Sequence, residues 1–365
     1  MSVWTELRRN APVAMLEPLK VVAVTRFDDV KRVARDAAAF SAAVDAPLAR
    51  TIGPNFMYAD GERHRRLRSI ATPLLQPTTL ATSHATWIEA RVSALVDALP
   101  REAPVDLMTT LAEPLAIGLL RGIIGLDAVA DDDFRRWFKT IAAGAANFEC
   151  DEEKDAAASG VMAEIRDVAE ITMRSSPQPG TLLSEFADLP RSDLLGAIGL
   201  FLIGGLQEPR DLLGLALIGL LDEGESWGAL RAAPAQDTAV AAAVEEAARW
   251  GSPVGTVTRV ATRDVELSGV TIAAGSTVAG VLASANRDER HWTLPERFDV
   301  DRREGPHLAY GSGAHACVGA AAARILTKST LLHLLDVAPA MRLAEMPVVP
   351  GYEFRGPTAV LVHLE

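Results

Sequence analysis

A cysteine set in a glycine-rich turn just ahead of a helix is the feature of this 365-residue chain whose surroundings first suggest chemistry. Residues 307–323 read His-Leu-Ala-Tyr-Gly-Ser-Gly-Ala-His-Ala-Cys-Val-Gly-Ala-Ala-Ala-Ala. Gly311 and Gly313 permit the positive φ that a tight loop needs, and Cys317 falls where an alanine-rich helix is about to start. A thiolate there would accept hydrogen bonds from loop N–H groups and feel the positive end of the helix, and both stabilise its charge. Gly319 has no side chain to hold a flat ligand away from the sulfur. A lone cysteine near glycines is more often an inert packing residue. Spacing alone does not decide between the two.

The elements that would hold this turn read as mainly α with a small β portion. Apolar residues recur at helical spacing from about 62 to 250, including Thr86 to Leu99, Asp132 to Ala145 and Ser192 to Leu221, and again over 319–334. Strand-like runs fall near 20–60, over 256–282 and in the Pro-rich tail 340–365. The first holds Val21 to Val24, followed by a helical stretch from Asp28 to Asp36. The second holds Val257 to Val260, Val265 to Leu267, Val270 to Ile272 and Thr277 to Val281, with Gly269 and Gly275 as hairpin turns. No linker or internal repeat is visible, so residues 1–365 are expected to form a single domain.

Composition narrows the function classes. Hydrophobic residues at 49% against 23% charged permit a large core and exclude a disordered chain. A net charge of -12 argues against nucleic acid as a partner, apart from one basic patch, Arg63-His64-Arg65-Arg66-Leu67-Arg68. Charges run through the first twenty residues, and the longest apolar stretch, Leu194 to Leu206, is too short to cross a bilayer. No membrane contact and a cytoplasmic location are therefore expected. Cys150 and Cys317 stand in unlike contexts, and Cys150 reads as a plain thiol.

The stretch Tyr310-Gly-Ser-Gly-Ala-His315-Ala-Cys317-Val-Gly319 resembles the haem-binding signature of the cytochrome P-450 family, Phe-Gly-x-Gly-x-His-x-Cys-x-Gly, with Tyr310 in place of the phenylalanine. The resemblance implies the cytochrome P-450 fold, with haem b (iron protoporphyrin IX) between a long oxygen-side helix and the Cys-loop helix. It makes Cys317 the axial iron ligand, whose donation favours O–O cleavage, and places Tyr310, Gly311 and Gly319 beside the cofactor. The Tyr310 hydroxyl is expected to point to solvent; reaching the sulfur, it would shift the reduction potential slightly. Glu246-Ala-Ala-Arg249 resembles the family's Glu-x-x-Arg, and Phe298-Asp-Val-Asp-Arg302 supplies the third member, so a structural Glu246, Arg249, Arg302 network is implied. Residues 259–270 and Ser284-Ala-Asn-Arg-Asp288 also resemble bacterial members, in the family's order; the start is shorter than typical, and part of the first helical segment is expected to be missing.

By similarity, His64, Arg68, Arg259 and His307 would hold the haem propionates, which need cations or donors. Arg63, Arg65 and Arg66 would remain to attract an acidic ferredoxin or flavodoxin. On the long helix, Gly204 and Gly205 match the family's small residues, but Gln207 and Glu208 stand where its acid and threonine are expected. Pro209 removes a helical N–H and crowds the Gly205 carbonyl, so a kink is expected there. The resemblance thus implies a monooxygenase that inserts oxygen from dioxygen into a small-to-medium hydrophobic substrate, with electrons from that redox partner. The alternative is a hydrogen-peroxide-using peroxygenase with Glu208 as acid and base; a non-catalytic haem sensor is a remote third reading. Phe56, Leu200, Ile203, Val254 and Val257 are the expected substrate-pocket residues.

Overall fold

The computed structural model describes residues 3–175, 177–222 and 225–364. The chain divides into two compact units, one formed by Met1–Ser41, Trp87–Ala112 and Glu208–Glu365, the other by Ala42–Thr86 and Glu113–Gln207.

The first unit carries the β structure. Its five-stranded sheet runs in the order Val13–Leu16, Val21–Val24, Thr277–Val281, Thr256–Ala261, Phe40–Ser41. Val21–Val24 and Thr277–Val281 pair in parallel, with Val22 opposite Val278, while Thr256–Ala261 runs antiparallel to the latter, with Arg259 opposite Val278. The helix Phe27–Arg35 lays Phe27, Val30, Val33 and Ala34 into the core beside Val24, Val278 and Leu282, because residues three and four apart share a helix face. The hairpin Val265–Leu267 and Val270–Ile272 turns at Gly269, where φ is +78°. Two further helices hold the Cys loop: Gln236–Gly251, which ends at Ser252 in the left-handed region (φ 49°), and Ala320–Val337, capped by Gly319. Alternation at four-residue spacing buries Ala323, Thr327, Leu331 and Leu335 of the second helix.

The second unit is helical throughout its described regular structure: Pro47–Ile52, Gly61–Leu74, Pro77–Ser83, Glu113–Ile124, Asp131–Ala145, Glu152–Arg174 and Leu182–Glu185 lie within it. The long helix Arg191–Leu221 begins here and crosses into the first unit between Gln207 and Glu208. It continues without a break through Pro209. The kink expected there does not interrupt the helix.

Most expected elements lie within two or three residues of their observed ends. The 20–60 region corrects the expectation of a β-rich start, because helices Phe27–Arg35 and Pro47–Ile52 occupy more of it than strands do. The tail yields only Arg342–Leu343 and Leu361–His363 as strands, since Pro347, Pro350 and Pro357 cannot donate to a ladder. The helix Val3–Asn10 and strand Val13–Leu16 carry too few residues to show a period and are not foreseen.

Glycines on the long helix separate by what surrounds them. A Cβ at Gly196 would lie 1.8 Å from the Pro54 carbonyl oxygen and one at Gly199 2.7 Å from Ile52 Cβ, whereas one at Gly204 meets nothing within 4 Å. Gly196→Ala is therefore expected to cost roughly 2–3 kcal/mol or more through overpacking, and Gly204→Ala to stabilise the helix by about 0.5–1 kcal/mol. Denaturant titration of the two variants checks the contrast.

Candidate active site

Cys317 is exposed and lies between the single-turn helix Gly313–His315 and the helix Ala320–Val337. Its backbone N–H donates to the Tyr310 carbonyl at 2.8 Å, closing the loop. Gly311 (φ +68°) and Gly313 (φ +79°) adopt the left-handed conformation, and a Cβ on Gly313 would press on Arg35 at 3.1 Å. A Cβ on Gly319 would meet only the Cys317 sulfur, at 3.9 Å. The sulfur side of this turn is thus open, and the loop is fixed from behind.

Behind the loop stands a buried ion-pair network. Arg249, 1% exposed, sends Nε and Nη2 to the two carboxylate oxygens of Glu246 at 2.7 Å each. Its remaining donors reach the carbonyls of Asn286 (2.8 Å), Pro295 (2.9 Å) and Arg297 (3.1 Å). Glu246 Oε1 also accepts from Arg302 Nε at 3.2 Å and from the Asp299 N–H at 2.8 Å. Asn286 then links this network to the Cys loop, its Oδ1 accepting the Leu308 N–H at 2.7 Å and its Nδ2 donating to Ser252 Oγ at 2.9 Å. Sequence similarity marks Asn286 only as part of a matching string; its role as the connector appears in the fold.

His307 is bonded to the protein through Nδ1, and its Nε2 lies near a carboxylate. Nδ1 accepts the Ala309 N–H at 3.1 Å, and Nε2 lies 3.3 Å from Glu245. In this structure the ring is thus held beside the loop and next to Glu245. Burial would raise the Glu245 pKa, but hydrogen bonds from His307 and Arg324 outweigh it and hold the carboxyl at about 2. Tyr310 does not point to solvent as expected; its hydroxyl oxygen is buried without a hydrogen-bond partner, and burial raises its pKa. Arg259 is 6% exposed and donates to its neighbour's carbonyl, Thr258 O, at 2.8 Å.

In the second unit, His64 (6% exposed) and the half-buried Arg68 stand four residues apart on the helix Gly61–Leu74, hence on one face. The three arginines expected to be spare meet two carboxylates. Arg63 and Arg66 both pair with Asp193, which is 3% exposed, and Arg65 pairs with Glu62. All three side chains stay exposed, at 47%, 69% and 48% for Arg63, Arg65 and Arg66. Gly204 is exposed, Gln207 half-buried, and Gly205 sits against Leu120, whose Cδ1 a Cβ would meet at 2.7 Å. Phe56 and Ile203 are 4% exposed and packed, while Leu200 is half-buried. In the first unit, Val254 and Val257 pack at the edge of the sheet core.

Glu208 begins the first unit's share of the long helix. Its Oε2 is buried and has no hydrogen-bond partner. Burial raises its pKa to about 8, with the nearby Asp211 adding to the rise and Arg210, which pairs with Asp211 at 2.7 Å, opposing it. At neutral pH this carboxyl is a proton holder. Pro209, lacking an N–H, leaves the Gly205 carbonyl without its helical donor.

The family model described as Cytochrome P450 matches residues 238–337. The chain is 32% identical over 348 residues to nocardicin C N-oxygenase of Nocardia uniformis subsp. tsuyamanensis, covering 89% of this chain and 83% of that one. It is 29% identical over 356 residues to the putative cytochrome P450 YjiB of Bacillus subtilis (strain 168), covering 93% and 87%. The crystal structure of P450BioI in complex with hexadec-9Z-enoic acid ligated acyl carrier protein superposes with a TM-score of 0.89 at 25% identity, over 98% of this chain and 96% of that chain.

Two outcomes are expected. Glu246→Ala leaves the Arg249 cation buried and unpaired and should cost about 3–5 kcal/mol, read as loss of cooperative unfolding or a steep drop in Tm. For Glu208, the folded pKa of about 8 stands above the reference 4.5. The native state therefore keeps a proton that the unfolded chain releases, and stability falls as pH rises through that window. Wild type should lose on the order of 3–4 kcal/mol relative to Glu208→Gln between pH 5 and 8, measured by denaturant titration at each pH.

Proposed function

The chain belongs to the cytochrome P450 family, whose members are oxidoreductases that bind haem b, and from that premise we propose that it is a haem-thiolate monooxygenase acting on a small-to-medium hydrophobic substrate, with electrons from a ferredoxin- or flavodoxin-type partner. Cys317, exposed at the start of a helix in a loop pinned to the Glu246–Arg249 network, carries the reading. Among the described residues no three His, Cys, Asp or Glu side chains converge as a metal site. An iron bound by Cys317 must bring most of its ligands with it, as a porphyrin does, and the bare Gly319 beside the sulfur suits a flat one. Arg259, His64, Arg68 and His307 are the groups proposed for its propionates. The same family relation, together with the absence among the described residues of a helix long and apolar enough to cross a membrane, supports a reading as a cytoplasmic enzyme.

Haem held by Cys317 would supply the iron chemistry of oxygen transfer. The chain supplies the rest. Helix and loop N–H groups stabilise the sulfur's charge. Gly204 keeps the long helix open, and Glu208 holds and returns a proton. Phe56, Leu200, Ile203, Val254 and Val257 are the apolar residues proposed for substrate binding.

Glu208 also supports a second reading, in which hydrogen peroxide is the oxidant. Its buried, unpartnered oxygen and its pKa near neutrality suit removal of a proton from peroxide and its return to the departing oxygen. Reduced, haem-loaded protein treated with carbon monoxide should show the red-shifted Soret band of thiolate ligation, and Cys317→Ser should abolish it. Glu208→Thr should lower peroxide-driven turnover at least tenfold while leaving reductase-fed turnover measurable; undiminished peroxide turnover removes the second reading.

A further inference from the structure

The charged groups packed around Tyr310 carry an inference that rests on the haem-thiolate reading. Arg324, on the helix that follows Cys317, stacks its guanidinium 4.1 Å over the Tyr310 ring. Its Nε and Nη2 donate to the two carboxylate oxygens of Glu245 at 2.5 and 2.9 Å. Glu245 in turn lies 3.3 Å from His307 Nε2, and the His307 ring stands 5.6 Å from that of Tyr310. Four side chains thus close a circuit around the residue to whose carbonyl the Cys317 N–H is bonded. Both Arg324 and Tyr310 interact electrostatically with Cys317.

Stability accounts for only part of this arrangement. The Arg324–Glu245 pair is bidentate and stabilising, but its side chains are 39% and 44% exposed, so solvent screens it. The tyrosine hydroxyl is buried without a partner, which costs free energy that a phenylalanine would not. What the circuit does achieve is to hold the Arg324 cation over the ring of the residue whose carbonyl anchors the Cys317 N–H, with Glu245 as its counter-charge.

We propose that Arg324 and Glu245 form an electrostatic tuning pair for the Cys317 thiolate, in which Arg324, positioned by Tyr310 and His307, favours the more negative reduced state and Glu245 offsets it. Both are positioning residues that act through Cys317. A cation near the sulfur stabilises the form with one more electron, and an anion destabilises it.

The test is the midpoint potential of haem-loaded Arg324→Gln, Glu245→Gln, the double variant and Arg324→Lys. Arg324→Gln should lower the potential and Glu245→Gln raise it, each changing the one-electron equilibrium roughly tenfold, or about 59 mV. The double variant should return near wild type, and Arg324→Lys, which keeps the charge, should stay within about threefold of it. A brace with no electrostatic role predicts otherwise: both single changes break the same bond, so their potentials would move in the same direction, and that result overturns the proposal. Potentials are read on the haem-loaded fraction, so poor loading of one variant does not hide the sign. The wild-type carbon monoxide spectrum is taken first. If the thiolate band is missing, the haem-thiolate reading falls and this inference with it; if the band is present, same-direction shifts overturn the tuning pair alone.

Discussion

A guanidinium buried to 1% exposure must have all its donors met, and Arg249 meets them with Glu246 and three carbonyls from a distant part of the chain. That requirement organises the first unit. Burying one cation fixes the course of residues 286–302, because the carbonyls of Asn286, Pro295 and Arg297 have to arrive together. Asn286 then transmits the constraint through Leu308 to the turn that presents Cys317. A surface ion pair at the same spacing would impose nothing of this kind. The network's value to the enzyme lies in placing a thiol at a helix start with its loop unable to drift.

The same logic explains which parts of the structure were legible in the sequence. Glycines with a required positive φ, such as Gly269, Gly311 and Gly313, announce themselves because few other residues take those angles. Long helices such as Asp131–Ala145 and Gln236–Gly251 carry enough periods to be read, and the hairpin strands carry their alternation. Partner choice is not written locally. Nothing in Arg63-His64-Arg65-Arg66 says that two of its cations belong to Asp193, 127 and 130 positions away, and resemblance alone could not show His307 turned to Glu245. A basic patch read from sequence is therefore a count of charges before pairing.

Charge pairing also separates the two ends of the site chemically. Near the Cys loop Arg324 pairs with Glu245 and Arg302 with Glu246. On the long helix the pairing is incomplete. Asp211 takes Arg210, and Glu208 is left with a buried oxygen that no donor meets. Such an acid stays protonated at neutral pH because burial disfavours its charged form, which is what proton delivery needs and what stability alone would select against.

Six glycines on that helix, at 196, 199, 204, 205, 214 and 219, make the contrast sharper. Five are excluded from carrying a side chain by a neighbour within 2.7 Å: Pro54, Ile52, Leu120, Pro357 with Met108, and Phe298. Their cost in helix propensity is offset by close packing. Gly204 has no such neighbour, so packing gives no reason for it. It stands four residues before Glu208, on the same face of one helix. On that shared face packing against the protein dictates neither residue, whereas the other five glycines and the paired Asp211 are each fixed by a neighbour.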